Sequence, residues 1–206
     1  MTLQSAHHQN SSLPPKFQSC KPGTAFLVET SRKEGFVALA EGRELVALQV
    51  MPSKDFLLQA AYLLADRSLG YVAVGIGPGS YTGTRTGISF AQGLSFALQV
   101  PLIGFYSPLA YLPKRPGPFA LLLPAKQGAT CLLTGECDAR SLLFHSHPKL
   151  LEKEELASHL LPSHLKVESE TALLNLSHLL PYLLKRFTLK EYNPMRVVEA
   201  SYLYSI

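Results

Sequence analysis

Charged side chains are scarce in this sequence. Asp, Glu, Lys and Arg make up 17% of its 206 residues, while 47% are hydrophobic. That balance excludes a disordered chain and leaves enough apolar material for one large domain or two small lobes. Long hydrophobic runs are also lacking. No stretch of about 18 apolar residues occurs, which excludes a membrane-spanning helix. Residues 1–23 are polar, carry Pro14, Pro15 and Pro22, and lack the apolar segment of a signal peptide; they read as a flexible leader. Cysteine is limited to Cys20, Cys131 and Cys137, an odd number without paired spacing. Reduced thiols and a cytoplasmic location are expected, and a four-ligand zinc site is not. Among His7, His8, His145, His147, His159, His164 and His178 no two stand four apart, so the H-E-x-x-H pattern of a metalloprotease is missing. His145 and His147 alternate around Ser146 and read as exposed loop or edge residues. Lysine is absent between Asp66 and Gln99, which removes a P-loop, and Ser80 lacks the G-x-S-x-G context of a hydrolase. Net charge is +4 and the sequence pI about 8.9. That is only mildly basic, short of the pI above roughly 9 and the clustered stripe of a dedicated nucleic-acid binder.

What is present is a regular alternation of apolar segments. Ala25–Thr30 fits a buried strand, and Phe36–Ala40 and Glu44–Val50 fit two more around the turn Glu41-Gly42-Arg43. Over Lys54–Ala65 the period becomes helical, with Leu57, Leu58, Ala61, Leu64 and Ala65 recurring and Ser53 placed to cap. Tyr71–Ile76 is a strand, a helix follows to about Leu98, Pro101–Phe105 is a fifth strand and Ser107–Leu112 a short helix. This is the element order of a ribonuclease-H-like lobe. Lys114–Pro118 reads as a linker. Beyond it, Phe119–Leu123 and Ala129–Thr134 are expected strands, Leu151–Leu160 and Ala172–Phe187 expected helices, and Val197–Tyr204 an expected closing strand. The expected division is a leader over 1–23, a first lobe over 24–113 and a second over 114–206. Glu152, Glu154 and Glu155 suit a first helical turn. Leu173, Leu176, Leu180 and Leu184 read as core. Lys185, Arg186, Lys190 and Arg196 form a modest basic region that is either a solvated face or an RNA contact.

The most informative segment is Gly75–Gly104. Gly77 and Gly79 around Pro78 make a tight turn that feeds a helix start rich in hydroxyls, with Ser80, Thr82 and Thr84. Such a start can hold an anion or can simply join strand to helix. Gly83, Gly87, Ala91 and Ser95 stand four apart, so they share one ridge of the helix and leave a shallow groove. Each glycine costs about 1 kcal/mol of helix propensity relative to alanine. Close packing must offset that cost, either against the chain's own sheet or first helix or against another protein. Ile88, Leu94 and Leu98 supply a separate apolar face.

The run GPGSYTGTRTGISFAQGL, continued by VPLIGFYSPLAYL, resembles the TsaB (YeaZ) family signature. The clear likeness covers about residues 71–112; FLVETS, the Phe119 strand and the terminal ASYLY agree in order and spacing. The resemblance implies an α/β fold of two ribonuclease-H-like lobes, of the actin/Hsp70-like (ASKHA) kind. It implies a non-catalytic subunit that supports TsaD, a catalytic paralogue that transfers threonylcarbamoyl to N6 of adenosine 37 in tRNAs reading codons that begin with A. A TsaE-like ATPase is a further implied partner, a homodimer is implied for the lone chain, and tRNA contact is implied to be indirect or weak. The implied partner-binding residues are Phe56, Gly83, Thr84, Arg85, Gly87, Ala91 and Ser95. Glu29, Thr30 and Ser31 occupy the family's nucleotide-binding turn, which usually reads Asp-Thr-Ser. In the second lobe Pro124-Ala125-Lys126 stands where the family commonly has Asp-Ala-Arg. With those acidic turns altered, no cofactor is expected for this chain, and ATP belongs to the complex. The alternative is a stand-alone kinase or ATPase of the same fold.

Overall fold

The structure is a computed structural model that describes residues 23–65, 67–112, 114, 116–124, 130–138, 142–145, 147–152, 155, 166–168, 174–193 and 197–200. The expected leader up to residue 22, Cys20, Ala125, Lys126, Arg196 and residues 201–206 lie outside them.

The first half is a mixed five-stranded sheet. Strand β1 (Thr24–Glu29) pairs antiparallel with β2 (Glu34–Glu41), which pairs antiparallel with β3 (Glu44–Pro52). On its other side β1 pairs parallel with β4 (Tyr71–Gly75), and β4 with β5 (Leu102–Phe105). The order is therefore β3-β2-β1-β4-β5, a ribonuclease-H-like arrangement. A parallel pair needs a crossover. Helix α1 (Phe56–Leu64) lies on the path into β4, and α2 (Tyr81–Leu98) joins β4 to β5. Ser53 caps neither helix. It sits in a 3-10 turn, and its hydroxyl donates to Arg32 O at 2.5 Å. Helix α2 ends where Gln99 takes φ 55°, the left-handed conformation of a C-terminal cap.

Residues of β1 alternate between two cores, as a strand's two-residue period requires. Phe26 and Val28 join Phe56, Ala60, Leu63, Ile88 and Ala91 under α1 and α2. Ala25 and Leu27 face the opposite side, with Phe36, Tyr71, Ile103 and Phe105. That second core also takes in Phe119, Leu121 and Leu133 from the next sheet and Leu179, Leu180 and Leu183 from the last helix, α3 (Leu179–Thr188).

The second sheet is built on β6 (Gly117–Pro124) and β7 (Thr130–Cys137), an antiparallel pair. Strands β8 (Leu142–Phe144) and β9 (Lys149–Leu151) both pair with β7, and β10 (Lys166–Glu168) runs parallel to β6. Four expectations fail here. Gly117 and Pro118, read as linker, already belong to β6. Leu151, read as a helix start, pairs with Thr130 in β9. Helix α3 is shorter than the apolar spacing over 172–187 predicts, because Asn175 holds the preceding stretch extended. Its N–H donates to Ala110 O at 2.7 Å and its side-chain amide to Leu112 O at 2.8 Å. Residues 197–200 are not in a strand.

Candidate functional site

The glycine-rich turn lies at the carboxyl ends of β1, β4 and β5. Open α/β sheets bind ligands at that edge. Ile76 N–H donates to Phe105 O at 2.9 Å, Gly77 N–H to Ser107 Oγ at 3.0 Å, and Ser107 N–H to Gly77 O at 2.9 Å. Gly77 has φ 91°, a conformation that favours glycine, and its bond to Pro78 is cis. Ser80 N–H then donates to Ser31 O at 2.6 Å, and Ser80 Oγ accepts from Gly83 N–H at 3.3 Å as the side-chain cap of α2.

The ridge of small residues on α2 is occupied from within. A Cβ on Gly83 would strike Thr30 O, and one on Gly87 would strike Thr30 Oγ1. Thr30 Oγ1 donates to Gly83 O at 2.7 Å. Ala91 and Ser95 are buried, and Ser95 Oγ donates to Val100 O at 2.6 Å. Thr84 is buried with its N–H on Ser80 O, and Phe56 is buried against the ring of Phe90. Of the seven residues implied as partner-binding, Phe56, Gly83, Thr84, Gly87, Ala91 and Ser95 thus serve the chain's own packing. The glycines are small because the end of β1 runs beneath them. Arg85 alone of the seven is exposed, its guanidinium 3.9 Å from the centre of the Tyr81 ring.

The outward faces of the same helices carry the apolar surface that spacing did not reveal. Leu58 is 75% exposed, Tyr62 74%, Phe96 68%, Leu57 54% and Tyr81 44%. Leu57 and Leu58, which mark the helical period, point outward, while Phe56, Ala60 and Leu63 point in. The sequence held one signal for this. FLLQAAYLL is apolar nearly all round, and a helix lying on a sheet buries a single stripe.

Glu29, Thr30 and Ser31 stand together at the end of β1, but all three are buried. Glu29 Oε1 accepts Ser31 N–H at 2.5 Å. Glu29 Oε2 reaches the space left by Gly75, where a Cβ would strike it, and no hydrogen bond of ordinary geometry meets it. Ser107 stands beside this pocket. Burial pushes the carboxyl above its usual range, against the opposing pull of Ser107, Ser31 and the Arg32 guanidinium. The carboxyl is therefore enclosed in this structure. Pro124 closes β6, and Ala125 and Lys126 lie outside the described residues.

Elsewhere, His145 and His147 are exposed, and His147 Nδ1 lies 2.9 Å from Tyr106 Oη. His178 is buried, with Nδ1 3.0 Å from Asp138 O. Burial pushes the Cys131 thiol up to about 12, far from a reactive thiolate. Within the basic region, Arg186 serves the fold: its guanidinium donates to Gly104 O at 2.6 Å and Glu191 O at 2.9 Å. Among the described residues no three His, Cys, Asp or Glu side chains are grouped to hold a metal ion, and no helix is long and apolar enough to cross a membrane.

Comparison with known proteins agrees with this architecture. A family model described as TsaD, tRNA N6-adenosine threonylcarbamoyltransferase, matches residues 43–142. The tRNA threonylcarbamoyladenosine biosynthesis protein TsaB of Buchnera aphidicola subsp. Schizaphis graminum is 41% identical over 58 residues, 28% of this chain and 27% of that protein. Its namesake from Escherichia coli K12 is 43% identical over 51 residues, 25% of this chain and 21% of that protein. The matched segment thus spans about a quarter of these curated relatives. The solved structure of YeaZ from Pseudomonas aeruginosa superposes with a TM-score of 0.71 at 19% identity, covering 88% of this chain and all of that one. A second structure, of an uncharacterized Pseudomonas aeruginosa protein with similarity to peptidase YEAZ, gives 0.71 at 20% identity over the same shares. The fold places the chain among α/β proteins of the actin/Hsp70-like class. Within that class its matched segment is similar to the two TsaB proteins, and its fold is shared with the two YeaZ-type structures.

Proposed function

We propose that this chain is a cytoplasmic accessory subunit that docks a TsaD-type catalytic partner and supports transfer of threonylcarbamoyl to N6 of adenosine 37 in tRNA. The observation that carries this reading is the exposed apolar face of α1 and α2, with Leu57, Leu58, Tyr62, Tyr81 and Phe96. Large apolar side chains left exposed on two helices that cover the same core suit an interaction site, and exposed tyrosines beside an arginine suit the centre of an interface. In the free chain the same face closes on a second copy, since a self-complementary patch pairs by two-fold symmetry. A TsaE-like ATPase and ATP join at the level of the complex. The burial of Glu29 supports a non-catalytic role, because a stand-alone kinase or ATPase needs carboxylates open to the cleft.

The test is co-purification with a tagged TsaD partner, followed by reconstituted tRNA modification read by nucleoside mass spectrometry. A stable complex is expected, and modification that depends on adding this chain. Modification proceeding at full rate without it would overturn the reading.

A further inference from the structure

Three groups at the end of β1 are tied to the start of α2 through one residue. Ser31 donates its N–H to Glu29 Oε1 and accepts Ser80 N–H on its own carbonyl. Its side chain lies where a Cβ on Gly79 would strike it. One residue back, Thr30 holds Gly83 O and fills the ridge of α2. The β1 turn, the glycine-rich turn and the first helical turn are therefore joined by direct hydrogen bonds and close contacts. At the centre of this assembly lies a carboxyl with one oxygen satisfied and the other walled in by Gly75 and Ser107.

We propose that Glu29 is a proton-dependent latch, which as the neutral acid holds the Thr30–Ser31 turn against the start of α2 and on ionisation releases it. A neutral carboxyl tolerates the enclosed position, because its hydroxyl can turn toward Ser107. A carboxylate there is a fully buried charge, and the pull of Ser107, Ser31 and Arg32 does not outweigh the loss of water. Glu29 is fully buried, with Oε1 on the Ser31 N–H and Oε2 beside Gly75 and Ser107, so hydrating the charge requires that these surroundings open. The charged and titratable groups around Glu29 do not remove the penalty. Arg32, half-buried, stacks 4.6 Å from the centre of the Tyr111 ring, so part of its charge faces that ring. Tyr111 is buried and neutral in the ordinary range, and Glu34, acting on Tyr111, is itself acidic. Gly75, Ser107, Gly79 and Ser80 bring no charge. The proton leaves to solvent, and no other reactant is needed.

The consequence for docking rests on the function proposed above, since the released turn leads directly into Tyr81 and Arg85 on the outward face of α2; the latch itself does not. The experiment is a pH titration of the isotopically labelled full chain by NMR. It follows the Glu29 carboxyl carbon and the amides of Ser31, Ser80 and Gly83. Expected is one common midpoint, above the ordinary 4.5, and loss of that transition from all three amides in Glu29→Gln. A carboxyl midpoint at or below 4.5 overturns the latch, as does an unchanged amide transition in Glu29→Gln. If Glu29→Gln does not fold, the wild-type carboxyl and amide midpoints still decide: unequal midpoints overturn the proposal. Failure of a TsaD partner to bind at any pH would count against the docking reading alone.

Discussion

Gly87 and Gly83 show how much a missing Cβ can mean. Gly83 sits in the first turn of α2 and Gly87 in its interior, where glycine is unfavourable, and both are required because Thr30 passes beneath them. Gly87→Leu is expected to lower stability by about 1–3 kcal/mol through overpacking, read as a drop in melting temperature. An unchanged melting temperature would show that the ridge is free after all. Glu29 is the second informative residue. Its folded pKa lies above the ordinary 4.5 because of burial, so the native state keeps a proton that the unfolded chain gives up. Its stability contribution is therefore complete below 4.5 and is lost as pH rises through the folded value. Between those limits the free energy of unfolding falls by up to about 1.4 kcal/mol per pH unit. Denaturant melts of wild type and Glu29→Gln across pH should diverge in that window; parallel curves would remove Glu29 as the cause.

At the scale of the element, α1 and α2 each have an inner and an outer face with different duties. The inner faces are closed by the sheet, through Phe56, Ala60 and Leu63 on one helix and Ile88 and Ala91 on the other. The outer faces stay apolar without cover from the described residues. Leu58→Asp and Phe96→Asp are each expected to leave stability within about 0.5 kcal/mol, as surface substitutions do. Both should weaken co-purification with a TsaD partner. The comparison that checks this is melting temperature against pull-down yield, and undiminished yield from the double variant would mean that docking uses another surface. The same two-faced logic explains why the period of α1 did not identify its buried face. Leu57 and Leu58 have helical spacing relative to Ala61 and Leu64, but spacing defines a face without saying which way it points.

Across the whole molecule, α3 acts as a pin between the two sheets. Leu179, Leu180 and Leu183 share a core with Leu27 and Phe105 on one side and Phe119 and Leu133 on the other. Tyr71 of the first sheet stacks on Phe187 at 4.7 Å between ring centres, and Arg186 binds the β5 carbonyl of Gly104. The first sheet thus has no finished second face without residues beyond the linker. Thermal unfolding is expected as one transition reporting on both sheets, and Leu183→Ala should lower it as a whole by about 2–5 kcal/mol. A chain ending at residue 113 should fail to give a cooperative melt. A sharp transition from that fragment would show that the first sheet is an independent domain.

Short-range patterns in the chain were enough for the first sheet. Strand periods around the Glu41-Gly42-Arg43 turn, the glycine-rich turn with its hydroxyl cap, and the helix running to Leu98 all depend on contacts within a few residues, which local composition encodes. The row of small residues on α2 was equally visible, and so was the need for something to pack on it. What lay beyond local pattern was the identity of that something. Thr30 is 53 residues from Gly83, and no periodicity links them. The same holds for Glu29 and Gly75, for Asn175 and Leu112, and for β9 on β7. Each is a long-range contact in which one residue's shape is set by a distant neighbour. That the small residues pack on Thr30, and that Glu29 lies enclosed beside Gly75 and Ser107, follows from chain crossings that bring distant neighbours together.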